Sequence, residues 1–318
     1  MMEKVIVAGG AGFIGSKLCS ALLKKGYFVI CVDNILTGSL NNLDSLRENE
    51  NFQFINHDIA QPLEENLTAD FVFHLASPAS PNHHSKLSYH SLPMETMLAN
   101  TQGTFELLKF AEKSKAKFLF ASTSEVYGNP LEHPQKEDYN GNVSTTGPRS
   151  VYDESKRFGE TITAYFLRDR NVDTRIARIF NTYGPGMLKE DMRMIIVFIT
   201  QVLLGKQITV FGDGKQTRSL CFIDDMVEGL MLLMFSPNTK GEIVNLGSDE
   251  EKTVLEYAET IKKLTGSESE IVFSEKLPED DPIRRRPDIT RAKKLLGWEP
   301  KVSLQEGLLK TIEYFKSI

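Results

Sequence analysis

The sequence predicts an α/β chain, a doubly wound parallel sheet (Rossmann-like) with a smaller C-terminal substrate-binding domain. Three observations carry that expectation. Short runs of branched and aromatic residues alternate with segments of helical periodicity up to about residue 180. The runs are continuously apolar, as strands covered on both faces are. A glycine-rich turn separates the first run from the first helix.

Val5-Ile6-Val7-Ala8 reads as the first strand, and residues 16–25 carry apolar side chains at helical spacing. Strands follow at 28–32, 52–55 and 71–75, a helix at 100–114, a strand at 118–121, a helix at 153–170 and a strand at 174–179. Beyond these, 192–204 is expected as a helix, and 208–211 as a short strand before the turn Gly212-Asp213-Gly214. A helix at 224–235 precedes a last core strand at 243–245. Helices near 253–264 and 302–316 flank a proline- and charge-rich stretch at 278–288. The expected domains are therefore a dinucleotide-binding sheet domain over 1–184, with 219–247 returning to it, and a substrate domain over 185–218 and 248–318.

Composition narrows the classes. The chain has 318 residues, 41% hydrophobic and 25% charged, enough for a large core. A net charge of −6 and no basic run argue against a nucleic-acid partner. Cys19, Cys31 and Cys221 are scattered without metal-ligand spacing, so reduced buried thiols and no metal site are expected. No run approaches the roughly 20 apolar residues of a membrane span, and no charged leader precedes Val5-Ile6-Val7; a cytoplasmic protein is expected.

Gly9, Gly12 and Gly15 lie where a tight turn, close backbone approach to a pyrophosphate, and close helix–strand packing each need a missing side chain. Asp33 ends the second strand about 20 residues on, placed to accept hydrogen bonds from both ribose hydroxyls. It would repel a 2′-phosphate, so NAD is expected rather than NADP. Asp58-Ile59 and Leu75-Ala76-Ser77 end later strands, where ligands of doubly wound sheets bind.

Thr123-Ser124-Glu125-Val126-Tyr127-Gly128 follows the fifth strand, and Tyr152 and Lys156 lie four residues apart on one helical face. A nearby ammonium, together with the positive nicotinamide ring of NAD, favours the phenolate, which makes Tyr152 a base for a hydroxyl proton while hydride leaves for NAD. Thr123 would bond the same oxygen.

On these residues the chain resembles the extended short-chain dehydrogenase/reductase family over nearly its whole length. Within it, Thr123–Gly128 is similar to the branch of UDP-glucuronate decarboxylases (UDP-xylose synthases). Further matching stretches are Leu75 to Pro81, Gly147-Pro148-Arg149-Ser150, Ala177 to Pro185, Gly212-Asp213-Gly214 with Gln216-Thr217-Arg218, Asp281-Pro282, and Arg284-Arg285-Arg286-Pro287-Asp288. The resemblance implies oxidation at carbon 4 of a glucuronosyl group, loss of carbon dioxide from the β-keto acid, and return of hydride. It implies Thr123, Ser124, Glu125, Tyr152, Lys156 and Arg285 as catalytic residues, with Arg285 placed by the substrate carboxylate. Phe13, Ile14, Asn34, Asn100 and Thr182 join the glycines and strand ends around NAD. Asn181 and Arg218 are expected at the pyrophosphate, Phe211 against the uracil, and Arg193 and Gln216 elsewhere on the nucleotide sugar. A homodimer through the helices at 100–114 and 153–170 is also implied.

Gly186, Val197 and the loop 139–146 depart from the branch pattern, and keep open another nucleotide-sugar enzyme, a 4-epimerase or 4,6-dehydratase. A non-catalytic dinucleotide-binding regulator would have no need of Thr123, Tyr152 and Lys156 together.

Overall fold

The computed structural model describes residues 2–279 and 281–318. β1 (Lys4–Ala8), β2 (Phe28–Asp33), β3 (Phe52–Asn56), β4 (Phe71–His74), β5 (Lys117–Thr123) and β6 (Thr174–Ile179) pair in parallel. Four short strands follow, β7 (Thr182–Tyr183), β8 (Ile208–Val210), β9 (Thr217–Ser219) and β10 (Cys221–Phe222), before β11 (Ile243–Leu246) returns to the sheet beside β6. The sheet order is β3-β2-β1-β4-β5-β6-β11, so the order in which strands are added reverses between β1 and β4 while all remain parallel. A crevice opens there at the carboxyl ends of the strands.

Strand alternation divides the core. Val5, Val7, Val29 and Cys31 face one side, with Leu18 and Leu22 of α1 (Phe13–Lys24); Ile6, Ala8, Ile30 and Val32 face the other. That second side is covered by a helical run beginning at α2 (Pro93–Leu98), passing through one wider turn at Ala99–Gly103 into α3 (Thr104–Ser114), and by α4 (Ser150–Arg170). The run starts earlier than the helix expected at 100–114, because Pro93 supplies a first-turn residue that needs no N–H partner.

The smaller part holds α5 (Met194–Leu203), α7 (Val254–Thr265) and strand pairs β8–β13 (Ile271–Phe273) and β9–β12 (Glu251–Thr253). α7 starts at a capping box, Thr253 with Glu256. Strands of two or three residues have no periodicity to read, so β7, β9, β10, β12 and β13 were not anticipated; nor was α8 (Thr290–Leu296), at seven residues. α6 (Ile223–Phe235) covers the first face of the sheet, and α9 (Leu304–Ser317) ends the chain. Cys19, Cys31 and Cys221 are free and buried. Among the described residues no helix is long and apolar enough to cross a membrane.

The single tryptophan fastens the tail to the sheet domain. Trp298 is buried against Gly229 of α6, and its indole N–H donates to the Asp225 carbonyl at 3.0 Å. Trp298→Ala is expected to cost about 3–5 kcal/mol, read as a lower midpoint in urea followed by circular dichroism.

Candidate active site

The crevice is shaped first by glycines. Gly9 has φ +81°, and a Cβ there would stand 2.5 Å from the Ala76 nitrogen. A Cβ at Gly15 would stand 2.1 Å from the Gly9 carbonyl oxygen. Neither neighbour can move, since both atoms are backbone. Gly12 begins α1 with no side-chain cap, which leaves the first N–H groups of the helix for a ligand. Asp33 ends β2, accepting from the Ala11 N–H at 2.9 Å through Oδ2 and from the Ile35 N–H at 2.8 Å through Oδ1. Burial raises its pKa and those two bonds oppose the rise. Asp33, Asn34, Asp58, Ile59, Leu75, Ala76 and Ser77 line a cavity of about 120 Å³. This recess shares Gly9, Gly12, Leu75 and Ser77 with a larger one of about 590 Å³. The cradle of missing side chains and the acidic strand end fit the dinucleotide expected from the sequence.

The larger cavity brings together Phe13, Ile14, Gly15, Thr123, Ser124, Glu125, Tyr152, Lys156, Asn181, Thr182, Arg193, Phe211, Gln216, Arg218 and Arg285. Asn100 lies outside both cavities: its side chain is buried in the wide helical turn and donates to the Ser155 hydroxyl at 3.0 Å.

Thr123 ends β5, and α4 presents Tyr152 and Lys156 across from it. The Lys156 ammonium donates to the Ala121 carbonyl at 2.8 Å and stands 5.9 Å from the centre of the Tyr152 ring. Burial pushes the Tyr152 phenol up to about 12, against the neighbouring Thr123 side chain, and draws Lys156 down to about 7 against the pull of Glu160. The expected phenolate is thus not set up by Lys156 alone, because burial disfavours both charges more than their proximity favours them. Tyr89 stacks on Tyr152 at 4.9 Å and fixes its ring.

Glu125 is the most tightly held group. Its backbone N–H donates to Thr123 Oγ1 at 3.2 Å, and its carboxylate accepts from Arg285 through both terminal nitrogens and from Arg149. Burial alone would raise its pKa, but the two guanidiniums override that and hold it at about 2. Asp153, beside it, is pushed the other way to about 8, by burial and by the Glu125 charge.

Arg149 and Asp281 are the residues that sequence reasoning did not single out. Arg149 opens α4, bonds Glu125, and reaches Asp281 Oδ1 at 3.2 Å; Asp281 Oδ2 accepts from Arg218 at 2.8 Å. Arg218 also donates to the carbonyls of Thr217 and Pro282. Both residues lay in matching stretches, but Arg149 is 24 positions from Glu125 and 132 from Asp281, so the sequence does not show that they meet. On the nucleotide side, Gln216 donates to the Phe211 carbonyl at 3.0 Å, and its Oε1 is buried without a protein partner. Arg193 pairs with Asp191 at 3.2 Å.

The chain is similar to known proteins over nearly its whole length. A family model described as GDP-mannose 4,6 dehydratase matches residues 6–311. UDP-glucuronic acid decarboxylase 1 of Danio rerio is 48% identical over 315 residues, covering 98% of this chain and 72% of that one. UDP-glucose 4-epimerase of Thermotoga maritima, solved with UDP-glucose, superposes with a TM-score of 0.88 at 31% identity over 99% of both chains. UDP-glucuronic acid 4-epimerase of Bacillus cereus, solved with UDP-glucuronic acid and NAD, does so at 0.85 and 31%, again over 99% of both.

Replacing Arg149 with Met keeps the length and removes the charge, leaving buried Glu125 and Asp281 each one partner short. Arg149→Met is expected to lower stability by about 3–5 kcal/mol, measured by urea unfolding at neutral pH.

Proposed function

The chain belongs to the extended short-chain dehydrogenase/reductase family of NAD-dependent epimerases and dehydratases, and on that premise we propose that it decarboxylates UDP-glucuronate to UDP-xylose through a 4-keto intermediate. The observation that carries this reading is the Arg285–Glu125–Arg149 cluster, which lines the same cavity as Thr123 and Tyr152 and supports it by offering two guanidiniums to a sugar carboxylate. The relative at 48% identity bears the decarboxylase name.

NAD would be held by the glycine turn, Asp33, Asn34, Asp58, Ile59, Leu75, Ala76, Ser77, Thr182 and Lys156. When bound, it supplies a two-electron sink beside carbon 4 of the sugar, filled on oxidation and emptied on reduction. Tyr152 takes the carbon-4 hydroxyl proton, and Thr123 holds the same oxygen. The resulting ketone is β to the carboxylate, so the bond to carbon dioxide breaks with its electron pair flowing into an enolate. Tyr152 and Thr123 stabilise that oxygen. A proton at carbon 5 restores the ketone, and Tyr152 returns its proton as carbon 4 is reduced. Glu125, held at about 2, is a fixed anion in this arrangement. A sugar carboxylate against Arg285 shares that guanidinium with it and frees Glu125, with Ser124, to serve the later proton steps. Arg285 positions charge and does not donate a proton, since guanidinium stays protonated.

Asn181 and Arg218 take the pyrophosphate and Phe211 the uracil, with Arg193 and Gln216 orienting the rest. We assign NAD to 1–184 with 219–247, and the nucleotide sugar to 185–218 and 248–318. We place the protein in the cytoplasm.

A homodimer completes the reading. Leu98 and Phe105 lie seven residues apart across α2 and α3, as do Phe158 and Tyr165 on α4, and all four are exposed. That spacing puts Phe158 and Tyr165 on one helical face; α3 packs against α4, Phe105 meeting Phe166 edge-on at 5.7 Å, so the exposed Phe105 adjoins that face. Burying this patch in a symmetric four-helix bundle removes it from water. Phe158→Glu is expected to yield monomers in sedimentation velocity.

The reaction is tested by incubating the protein with NAD and UDP-glucuronate, following carbon dioxide and the nucleotide product by mass spectrometry. The expected outcome is carbon dioxide with a UDP-pentose, and Tyr152→Phe is expected to slow it by about 10²–10⁴-fold. UDP-galacturonate without carbon dioxide would make the protein an epimerase.

A further inference from the structure

Outside the reaction centre, at the mouth of the larger cavity, three metal-ligating side chains converge from distant parts of the chain. His83 and His84 lie on the loop after β4, and Glu275 on the segment after β13. The His84 Nε2 stands 3.2 Å from Glu275 Oε1 and 3.5 Å from Oε2, and the His83 Nε2 is 3.7 Å from Oε2. One donor atom from each of the three lies within 4.8 Å of the others. In a tetrahedral site with bonds near 2.0–2.2 Å, neighbouring donors stand roughly 3.4 Å apart. The two histidine–glutamate pairs, at 3.2 and 3.7 Å, already hold nearly that spacing, and the histidine donors lie within 4.8 Å of each other.

The geometry is built into the backbone on both sides. Ser80 and Ser85 bracket the histidines, buried, donating to the carbonyls of Asp191 and Glu190. Between them, the Asn82 side chain donates to the Met192 carbonyl at 2.7 Å and accepts from the His84 N–H at 2.9 Å. Across the mouth, the Glu275 carbonyl accepts from the Gly212 N–H at 2.7 Å, and the Ser274 N–H donates to the Val210 carbonyl at 3.0 Å. Each wall is thus fixed by bonds that do not involve the three donors. The donors are themselves close to half exposed, so an ion reaches them from solvent.

We propose that His83, His84 and Glu275 form a binding site for a borderline divalent cation of the zinc class, which staples the loop after β4 to the segment after β13 across the cavity mouth. Two imidazoles and one carboxylate suit zinc rather than magnesium, whose ligands are oxygens. Three protein donors leave a fourth position for water. The His83 ring lies 6.4 Å from Phe211, so the ion would sit at the end of the cavity where that aromatic ring is offered. A site assembled from residues 83, 84 and 275 has no spacing that a sequence could reveal.

The test uses full-length, tag-free protein stripped with chelator and titrated with zinc by calorimetry, with magnesium as control. It reads metal alone, so its result is independent of the reaction proposed above. One zinc equivalent is expected, with affinity reduced at least about tenfold, some 1.4 kcal/mol, in Glu275→Gln and in the double variant His83→Ala/His84→Ala. His133→Gln, which removes the other His–Glu contact, His133 with Glu251 at 2.9 Å, is expected to bind as the parent does. Zinc should also raise the thermal midpoint of the parent and of His133→Gln alone, because a ligand bound only to the folded state stabilises it. Equal zinc binding in the parent and the double variant would overturn the proposal, as would no binding by the parent.

Discussion

The carboxylate of Glu125 is the point on which the rest of the site hangs. It is a buried anion at the end of β5, and its partners come from the start of α4 and from the tail segment carrying Arg285. Removing such charges from water costs several kcal/mol each, a cost met only where geometry is good and remaining donors and acceptors are used. Here most are used: Arg149 continues to Asp281, and Asp281 to Arg218 on β9, while the Arg149 Nε is buried without a partner among the described residues. One chain of charges therefore joins the proposed sugar end of the cavity to its phosphate end. The same chain sets the proton-handling residues, because the Arg149 carbonyl accepts the N–H of Tyr152 at 3.0 Å in the first turn of α4. A shift of the tail segment would be felt at the phenol.

The cofactor end obeys a different constraint, that of space. At Gly9 and Gly15 the backbone of the turn approaches other backbone so closely that a single methyl group would collide. The chain gives up side chains there to bring the N–H groups of α1 to the crevice. The sheet reversal between β1 and β4 puts this turn opposite the end of β5, so the cavity between them receives both halves of the chemistry.

What could be read from the sequence follows from how local each signal is. The parallel sheet was legible because β1, β2 and β5 each carry a run of four or more consecutive apolar residues and β4 a run of three, and β6, though broken by Arg175 and Arg178, was bounded to the residue. The glycine turn, Asp33 and the Tyr152–Lys156 pair were legible because their meaning depends on neighbours within one turn or one βαβ unit. The short strands β9, β12 and β13 were not, since each takes its shape from a partner strand far away in sequence. Arg149 was quoted within a matching stretch and passed over for the same reason. At the start of a helix an arginine looks like a solvated residue; only the fold shows it buried between two carboxylates.

The pKa values of the proton-handling pair show why the site needs a cofactor to become reactive. Burial pushes Tyr152 to about 12 and draws Lys156 down to about 7, so at neutral pH the phenol is protonated and the amine is near its midpoint. Glu125 and Asp153 act on Tyr152 in the same direction as burial, and of the nearby charges Arg193 opposes them. A protein tuned for a free-standing base would have placed the ammonium closer or the anions farther away. This arrangement instead keeps the phenol neutral until positive charge enters the cavity. In the proposed reaction this would couple removal of the sugar proton to the presence of an oxidised nicotinamide, and would keep a reactive phenolate from standing beside a substrate that cannot yet be oxidised.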